Sequence, residues 1–550
     1  MSFVPLMPRG RDRIPTVAAW AMGVACIAAL ANRFRYGVDL SDETFSIALP
    51  YRFVLGDKPF VDEISIQQTA GFVLFPFVWL FVKITGGTTG LVLFVRGIHL
   101  LFKAIAALSV HAAARRWLQH RPTAIAVSFV PFAFVPHSIP NVGYNVIGMS
   151  LLTAGAFLMV AGAAETSHRE QKHLFFLAGL AQGLMSCAYP PMAVAALLGA
   201  PLVLLCARER RFVALAAFIG GGLAAALIIS PALAFGGIAG VRRSLGWGVH
   251  STMSHTSARL QAMLDGLWTG IPDFYPYALV ALGLAWLLRS RSLVAIVVPT
   301  LTLACALWFR SDRVTTSGAI RTVTYVGAIA PALVLIAKPD AKVWRGVILV
   351  TLPAYAAALA AAFTSTQGVD AAALGLVPCL ALFALLAARA LERASADATL
   401  CMLPAATLMF ALVTFAYDFV YRDSPMPQLT TLVTTGPFKG IRTTPDRAQM
   451  FAELKDITRR FDQRGGRILF LWEAPGFYLF SRMKPSAHSV WEAPFGDLDG
   501  LLAYWQAYPK GRGIVVRQRG TRPTKADPIV APPERVVLET PHFIVYADQK

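Results

Sequence analysis

Residues 36–68 read YGVDLSDETFSIALPYRFVLGDKPFVDEISIQQ, and the run that follows, 69–84, reads TAGFVLFPFVWLFVKI. The first stretch crowds Asp39, Asp42, Glu43, Asp57, Asp62 and Glu63 between that run and an earlier apolar run at 16–32. Reading 69–84 decides the fold, because a segment that crosses a bilayer inverts the side of everything after it. A crossing helix needs about 20 apolar residues. The run is ambiguous on length and apolarity, so the basic residues of the later connections arbitrate, and its Pro76, Trp79 and Lys83 suit the headgroup level. It reads as an interfacial or re-entrant helix, which makes 33–89 one long loop on a single side of the membrane.

Working outward, apolar runs follow near 90–114, 122–137, 146–164, 174–188, 191–207, 212–235, 275–289, 292–309, 323–337, 346–363, 370–388 and 400–420. With 16–32 they predict an α-helical polytopic membrane protein of about thirteen transmembrane helices. Alternate connections are short and basic: Arg115, Arg116 and Arg121; Arg169 and Lys172; Arg208, Arg210 and Arg211; Arg289 and Arg291; Lys338, Lys342 and Arg345; Arg389 and Arg393. Basic loops mark the cytoplasmic side. The N-terminus, with Arg9, Arg11 and Arg13, is therefore expected in the cytoplasm. Loops 33–89, 236–274 and 309–322 and the whole C-terminal tail are expected outside a plasma or inner membrane.

Composition agrees. Of 550 residues, 56% are hydrophobic and only 15% charged, against about 25% in soluble domains, and mean hydropathy is +0.56. The net charge of +19 is spread singly and in pairs between apolar runs, without an aromatic-interleaved basic patch. It reads as topology and attraction to anionic headgroups, not as nucleic-acid binding. The six cysteines lie within or beside apolar runs and form no CxxC pair, so they read as free, buried small hydrophobes. No signal-peptide cleavage pattern is clear, and 16–32 is expected to be a retained anchor.

The chain divides into a membrane domain, 1–420, and a tail, 421–550. In the tail, a polar helix is expected over 446–462, strands over 467–473 and 513–517, a helix over 498–509 and a terminal hairpin over 535–548, which together make a small C-terminal α/β domain. It holds no glycine-rich phosphate loop, no metal-ligand spacing and no acid, base or nucleophile with a recognisable partner.

Asp42-Glu43 opens a segment of helical spacing. Such a pair either caps a helix, where backbone N–H groups welcome negative charge, or supplies a general base and a ligand at the mouth of a membrane cavity. Tyr189-Pro190-Pro191 reads as a rigid turn in which Tyr189 either braces the helices or lines a cavity. His250 and His255 have poor metal spacing for a helix and read as solvated side chains of the loop 236–274.

Asp42-Glu43 after the first span, then a helix, then Gly56-Asp57-Lys58-Pro59-Phe60-Val61-Asp62 and an apolar interfacial helix, resembles the GT-C glycosyltransferases, most of all the protein O-mannosyltransferase and lipid A aminoarabinose transferase branch. AGLAQGLMSCAYPP (178–191), GPFKGIRT (436–443) and APGFYLF (474–480) are weaker echoes. The resemblance implies a GT-C membrane enzyme that moves one monosaccharide from a polyprenyl-phosphate carrier to an extracytoplasmic glycan, lipid or protein acceptor, with inversion. By position it implies Asp42 as catalytic base, Glu43 as its neighbour binding acceptor or a divalent cation, and Asp62 as a second acidic position. The chain departs from the family pattern at Ile66-Gln67-Gln68-Thr69, which leaves Gln67 and Tyr189 as substrate-binding candidates. Arg310, Arg313 and Arg321 could meet the departing phosphate or snorkel to lipid. The alternative is a translocase or transporter of a lipid-linked glycan or small solute. Carriers usually place ionisable residues at mid-membrane, whereas here the carboxylates crowd a loop.

Overall fold

The computed structural model describes residues 13–207, 210–253 and 341–547, apart from 366, 394, 463–465, 472–473, 492–497, 508–511 and 522–526, together with isolated residues between 254 and 340. The runs expected at 275–289 and 292–309 lie outside this description, as do 323–337 apart from 323, 324, 326 and 327, and Arg310, Arg313 and Arg321.

The membrane part comprises α1 (Arg13–Arg33), α2 (Asp42–Val54), α3 (Gln68–Thr85), α4 (Leu91–Trp117), α5 (Arg121–Ser128), α6 (Val130–Ala133), α7 (Tyr144–Ala164), α8 (His168–Ala188), α9 (Ala193–Cys206), α10 (Arg211–Met253), α11 (Ala341–Thr364), α12 (Ala372–Arg393) and α13 (Ala398–Asp418). Among the described residues, eight helices are long and apolar enough to cross a membrane: α1, α3, α4, α7, α10, α11, α12 and α13. The run 122–137 is not one helix. It splits into α5, α6 and a turn at Pro136–Ser138, because prolines at 131 and 136 remove backbone donors and restrict the residues before them. Helices α8 and α10 cross closely through glycine: a Cβ at Gly179 would fall 1.9 Å from the Phe218 carbonyl oxygen, and one at Gly221 2.0 Å from that of Phe176. Small residues at such crossings let backbones approach where lipid supplies no hydrophobic drive.

The bundle has two distinct ends. At one, Arg33 closes α1 against α13, donating to Tyr36 O (2.8 Å) and Phe419 O (2.9 Å). The start of α4 there meets the tail, with Gly90 N donating to Gly436 O (3.0 Å) and Val92 N to Pro437 O (3.1 Å). At the other end Arg116 pairs with Glu165, Glu392 accepts the N–H groups of Gln119 and His120 (2.9 Å each), and Arg389 donates to Trp117 O. The basic residues expected in the cytoplasm from 115 to 121 and from 389 to 393 gather at this second end.

Helix α3 satisfies the length test for a span, yet the tail holds it at both ends. Just before it, Ile64 N donates to His488 O (3.0 Å). Just after it, Arg482 Nη2 donates to Gly86 O (3.1 Å). Its 18 residues extend about 27 Å at 1.5 Å per residue, with a bond to the tail flanking each end.

The tail carries a two-stranded ribbon, β1 (Thr431–Leu432) with β2 (Arg442–Thr443), then α14 (Pro445–Phe461), β3 (Arg467–Leu471), β4 (Lys484–Pro485), α15 (Leu498–Ala507), β5 (Arg512–Gln518), β6 (Val536–Glu539) and β7 (Phe543–Ala547). The main sheet has the order β4-β3-β5-β7-β6, parallel across β4, β3 and β5 and antiparallel beyond. Side chains alternate across a strand, and the cores follow that alternation. Ile468, Phe470, Ile514 and Val516 join the core continuous with the bundle, while Leu469, Leu471 and Val515 pack with Leu501 and Trp505 of α15.

Candidate functional site

The first turn of α2 needs its N–H groups satisfied, and Asp39 does this. Its carboxylate accepts from Glu43 N (2.7 Å), Ser41 N (2.9 Å) and Ser41 Oγ (2.7 Å), the role of a capping side chain displaced by a short loop. Burial, reinforced by the charge of Asp42, pushes the Asp39 carboxyl up to about 6. Asp42 is therefore not needed as a cap. Its carboxylate turns outward to accept from Tyr421 Oη (2.5 Å) and to face the Arg422 guanidinium at 3.5 Å. Arg422 also donates to Ser41 Oγ. Burial, then the charge of Asp42, raises the Tyr421 phenol, so Tyr421 stands as a donor to Asp42. The Asp42 side chain keeps 26% of its surface exposed.

Glu43 points the other way and is fully buried. Arg96 of α4 grips both its oxygens, Nε to Oε1 at 2.6 Å and Nη2 to Oε2 at 2.7 Å, and also donates to the carbonyls of Phe34 and Gly37. Two-pronged guanidinium–carboxylate pairs are strong and directional. This one pins α2 to α4 and to the end of α1.

Asp42 lines a cavity of about 450 Å³ with Gln67, His137, Asn141, Tyr144, Tyr189, Tyr421, Arg422 and Trp491, among others. Trp491 stands edge-on to Phe45, ring centres 4.2 Å apart. The wall thus draws on α2, the start of α3, the turn before α7, the α8–α9 connection, and the tail. Gln67 Oε1 and Asn141 Oδ1 are buried acceptors without a partner. Buried acceptors are normally satisfied, so these two stand out on the cavity wall.

Of the residues expected from the sequence, Asp42, Gln67 and Tyr189 meet in this cavity. Glu43 lies behind it, and Asp62 is elsewhere. Asp62 accepts from Lys58 N (2.7 Å) and Tyr504 Oη (3.2 Å), inside a docking network centred on Arg52. Arg52 bonds Asp57 (2.7 Å), Glu63 (3.1 Å) and Ala487 O (2.7 Å). Tyr421, Arg422 and Trp491 were passed over in the sequence because the tail offered no recognisable catalytic pair. Only the position of Tyr421-Arg422, directly after the last apolar run, hinted at them. The residues do not suit a divalent cation: Glu43 is saturated by Arg96, Asp42 faces Arg422, and among the described residues no three His, Cys, Asp or Glu side chains gather to ligate one.

No family model and no curated protein matches the chain. Among solved structures, similarity is found to ArnT from Cupriavidus metallidurans bound to undecaprenyl phosphate, at 12% identity and a TM-score of 0.45 over 97% of this chain and 98% of that one. It is also found to the Archaeoglobus fulgidus oligosaccharyltransferase complexed with zinc and sulfate, at 13% identity and a TM-score of 0.48 over 92% and 68%. The archaeal oligosaccharyltransferase AglB from the same organism, complexed with an inhibitory peptide and a dolichol-phosphate, gives 13% and 0.45 over 91% and 69%. All three TM-scores fall below 0.5, so any functional reading has to come from the site's own residues.

Proposed function

We propose that the protein is a GT-C-type membrane glycosyltransferase that transfers a monosaccharide from a polyprenyl-phosphate carrier to an acceptor hydroxyl on the outer face of the membrane. The observation that carries this reading is a carboxylate, Asp42, released from capping and turned into a 450 Å³ cavity beside unpartnered buried acceptors. In the reaction, the acceptor oxygen bonds the anomeric carbon and its proton passes to Asp42, while the carbon–oxygen bond to phosphate breaks with its electron pair on the phosphate. A single displacement inverts the anomeric centre. Tyr421 orients the base, and Arg422 offers positive charge beside the departing phosphate. Arg310, Arg313 and Arg321 keep their sequence-based assignment to that phosphate. Glu43 acts through Arg96 to fix the start of α2, and Asp62 acts through Tyr504 to seat the tail.

The orientation follows the same reading. The tail and the loop 33–89 face outward, the basic end of the bundle faces the cytoplasm, and α3 lies in the interface. The double tether of α3 and the gathering of arginines at the opposite end support it.

One observation favours the translocase alternative. Arg96, His99 and Lys103 are buried at helical spacing in α4, ionisable residues within a span of the kind carriers use. Arg96 serves Glu43, and Lys103 Nζ donates to Phe134 O (2.7 Å). The two readings separate when the purified protein is given a panel of polyprenyl-phosphate sugars with acceptor and the products are read by mass spectrometry. Release of sugar-free polyprenyl phosphate with a glycosylated acceptor supports transfer. Movement of the intact lipid-linked sugar across liposomes without its cleavage would establish a carrier instead.

A further inference from the structure

The cavity that holds Asp42 has a wall the transfer step leaves unused. The turn Pro136–Ser138 carries His137 at φ 53° and ψ 17° and Ser138 at φ 55°. The left-handed region is uncommon for residues other than glycine, and it persists where the surrounding structure enforces it. Here Ser138 N donates to Val135 O (3.2 Å) and Ile139 N to Pro136 O (3.0 Å), while Pro136 and Pro140 stiffen the chain on either side. The turn sets His137 on the cavity wall, within electrostatic reach of Asp42. Burial pulls its imidazole down to about 4 against the charge of Asp42. The ring therefore stands neutral, with one N–H donor and one acceptor.

Tyr144, the first residue of α7, lines the same wall, half-buried and within reach of the same carboxylate. Among the described residues, neither the His137 ring nor the Tyr144 hydroxyl makes a hydrogen bond, and their polar atoms are not sealed in protein. Tyr189 completes the wall. Its ring centre lies 5.2 Å from that of Tyr144, the planes tilted by 50°. Gly148 leaves it room, since a Cβ there would fall 3.2 Å from Tyr189 Cδ1. Aromatic faces are electron-rich and take the C–H-bearing face of a sugar ring, while neutral donors and acceptors take its hydroxyls.

Charge in the cavity has another assignment. Among the described lining residues only Asp42 and Arg422 carry it, and they face each other at 3.5 Å. An ammonium group on the sugar would draw Asp42 away from the acceptor hydroxyl. A carboxylate on the sugar would draw Arg422 away from the phosphate. We propose that His137, Tyr144 and Tyr189 form the subsite of an uncharged monosaccharide, so that the sugar this protein transfers carries neither a free amino group nor a carboxylate. The proposal rests on the transferase reading above and narrows its substrate class.

Full-length protein in neutral detergent is titrated calorimetrically with bare farnesyl phosphate and with farnesyl phosphate linked to mannose, glucose, galactose, aminoarabinose or glucuronate. At least one neutral sugar should tighten binding about tenfold over the bare phosphate, whereas aminoarabinose and glucuronate should add nothing. Tyr144→Phe, which deletes only the hydroxyl, should cut that gain about fivefold and leave bare farnesyl phosphate bound as before. His137→Gly, which a left-handed turn accepts without strain, should abolish the gain with the same indifference to the bare phosphate. A charged sugar that binds tighter than every neutral one overturns the proposal and leaves the transferase reading standing. So does the absence of a gain from any sugar, or a full gain in either variant. Failure of every farnesyl phosphate to bind, bare or linked, removes the transferase reading and this proposal with it.

Discussion

Two acidic clusters sit within one loop, and they are used in opposite ways. Asp39, Asp42 and Glu43 surround the start of α2; Asp57, Asp62 and Glu63 follow its end. Each cluster is organised by one buried arginine, Arg96 for the first and Arg52 for the second. In the second, every carboxylate is consumed in seating the tail, with Arg467 and Lys484 joining Arg52 around Asp57. In the first, capping falls to Asp39 and anchoring to Glu43, and Asp42 alone reaches a cavity. A high local density of carboxylates therefore locates an interface, and the geometry of the nearest cations decides which carboxylate is left to react.

The comparison breaks most sharply on stability. Glu43→Gln strands Arg96 as a buried charge, and Arg52→Ala strands Glu63 while leaving Asp57 to Arg467 and Lys484; removing one member of a buried pair costs about 3–5 kcal/mol. Both variants should lose that much in denaturation, and the second should also expose the link near 420–430 to limited proteolysis. If Glu43→Gln instead keeps its stability and loses only turnover, Glu43 belongs with the chemistry after all.

Asp42→Asn comes next. With capping done by Asp39, asparagine should leave the thermal midpoint nearly unchanged. Turnover should fall at least about 10²-fold, the lower end for a positioned general base. A rate within about threefold of wild type would remove Asp42 from the mechanism. Tyr421→Phe deletes one hydrogen bond to a charged group and should slow turnover about tenfold with little change in KM, which steady-state kinetics can read. The smallest effect belongs to Asp62→Asn. One amide oxygen still accepts from Lys58 N or Tyr504, so turnover should stay within about twofold and stability within about 1 kcal/mol. A loss there as large as that at Asp42 would erase the distinction between the clusters.

Much of the fold was legible in local pattern. The short apolar runs at 467–473 and 513–517, the polar helix at 446–462 and the terminal hairpin all have counterparts in β3, β5, α14 and β6–β7, because apolar runs and turn residues are local properties. The long apolar runs were legible for the same reason. The run 122–137 misled, since its hydropathy suited a span while its prolines divided it. The site was legible only in part. Asp42 stood out by its neighbours, but Tyr421 lies 379 positions away in the chain and Arg96 is separated from Glu43 by 53. Nothing in either segment names its partner, and the division of labour among Asp39, Asp42 and Glu43 exists only once those distant groups arrive.

Helix α3 sets a problem of timing during synthesis. The arginine that bonds its C-terminal end, Arg482, lies 396 positions further along the chain than Gly86, so it cannot restrain the helix when 68–85 first leaves the ribosome. The insertion machinery then meets a segment with a mean hydropathy of 1.4, apolar enough to be threaded through. If α3 ends flat against the tail, its early choice must be made by charge close at hand, with Lys83 in its own last turn and Arg115, Arg116 and Arg121 at the far end of the next helix. Neutralising those three arginines should yield a mixture of chains in opposite orientations, a failure of biogenesis that arises before any tail exists to correct it.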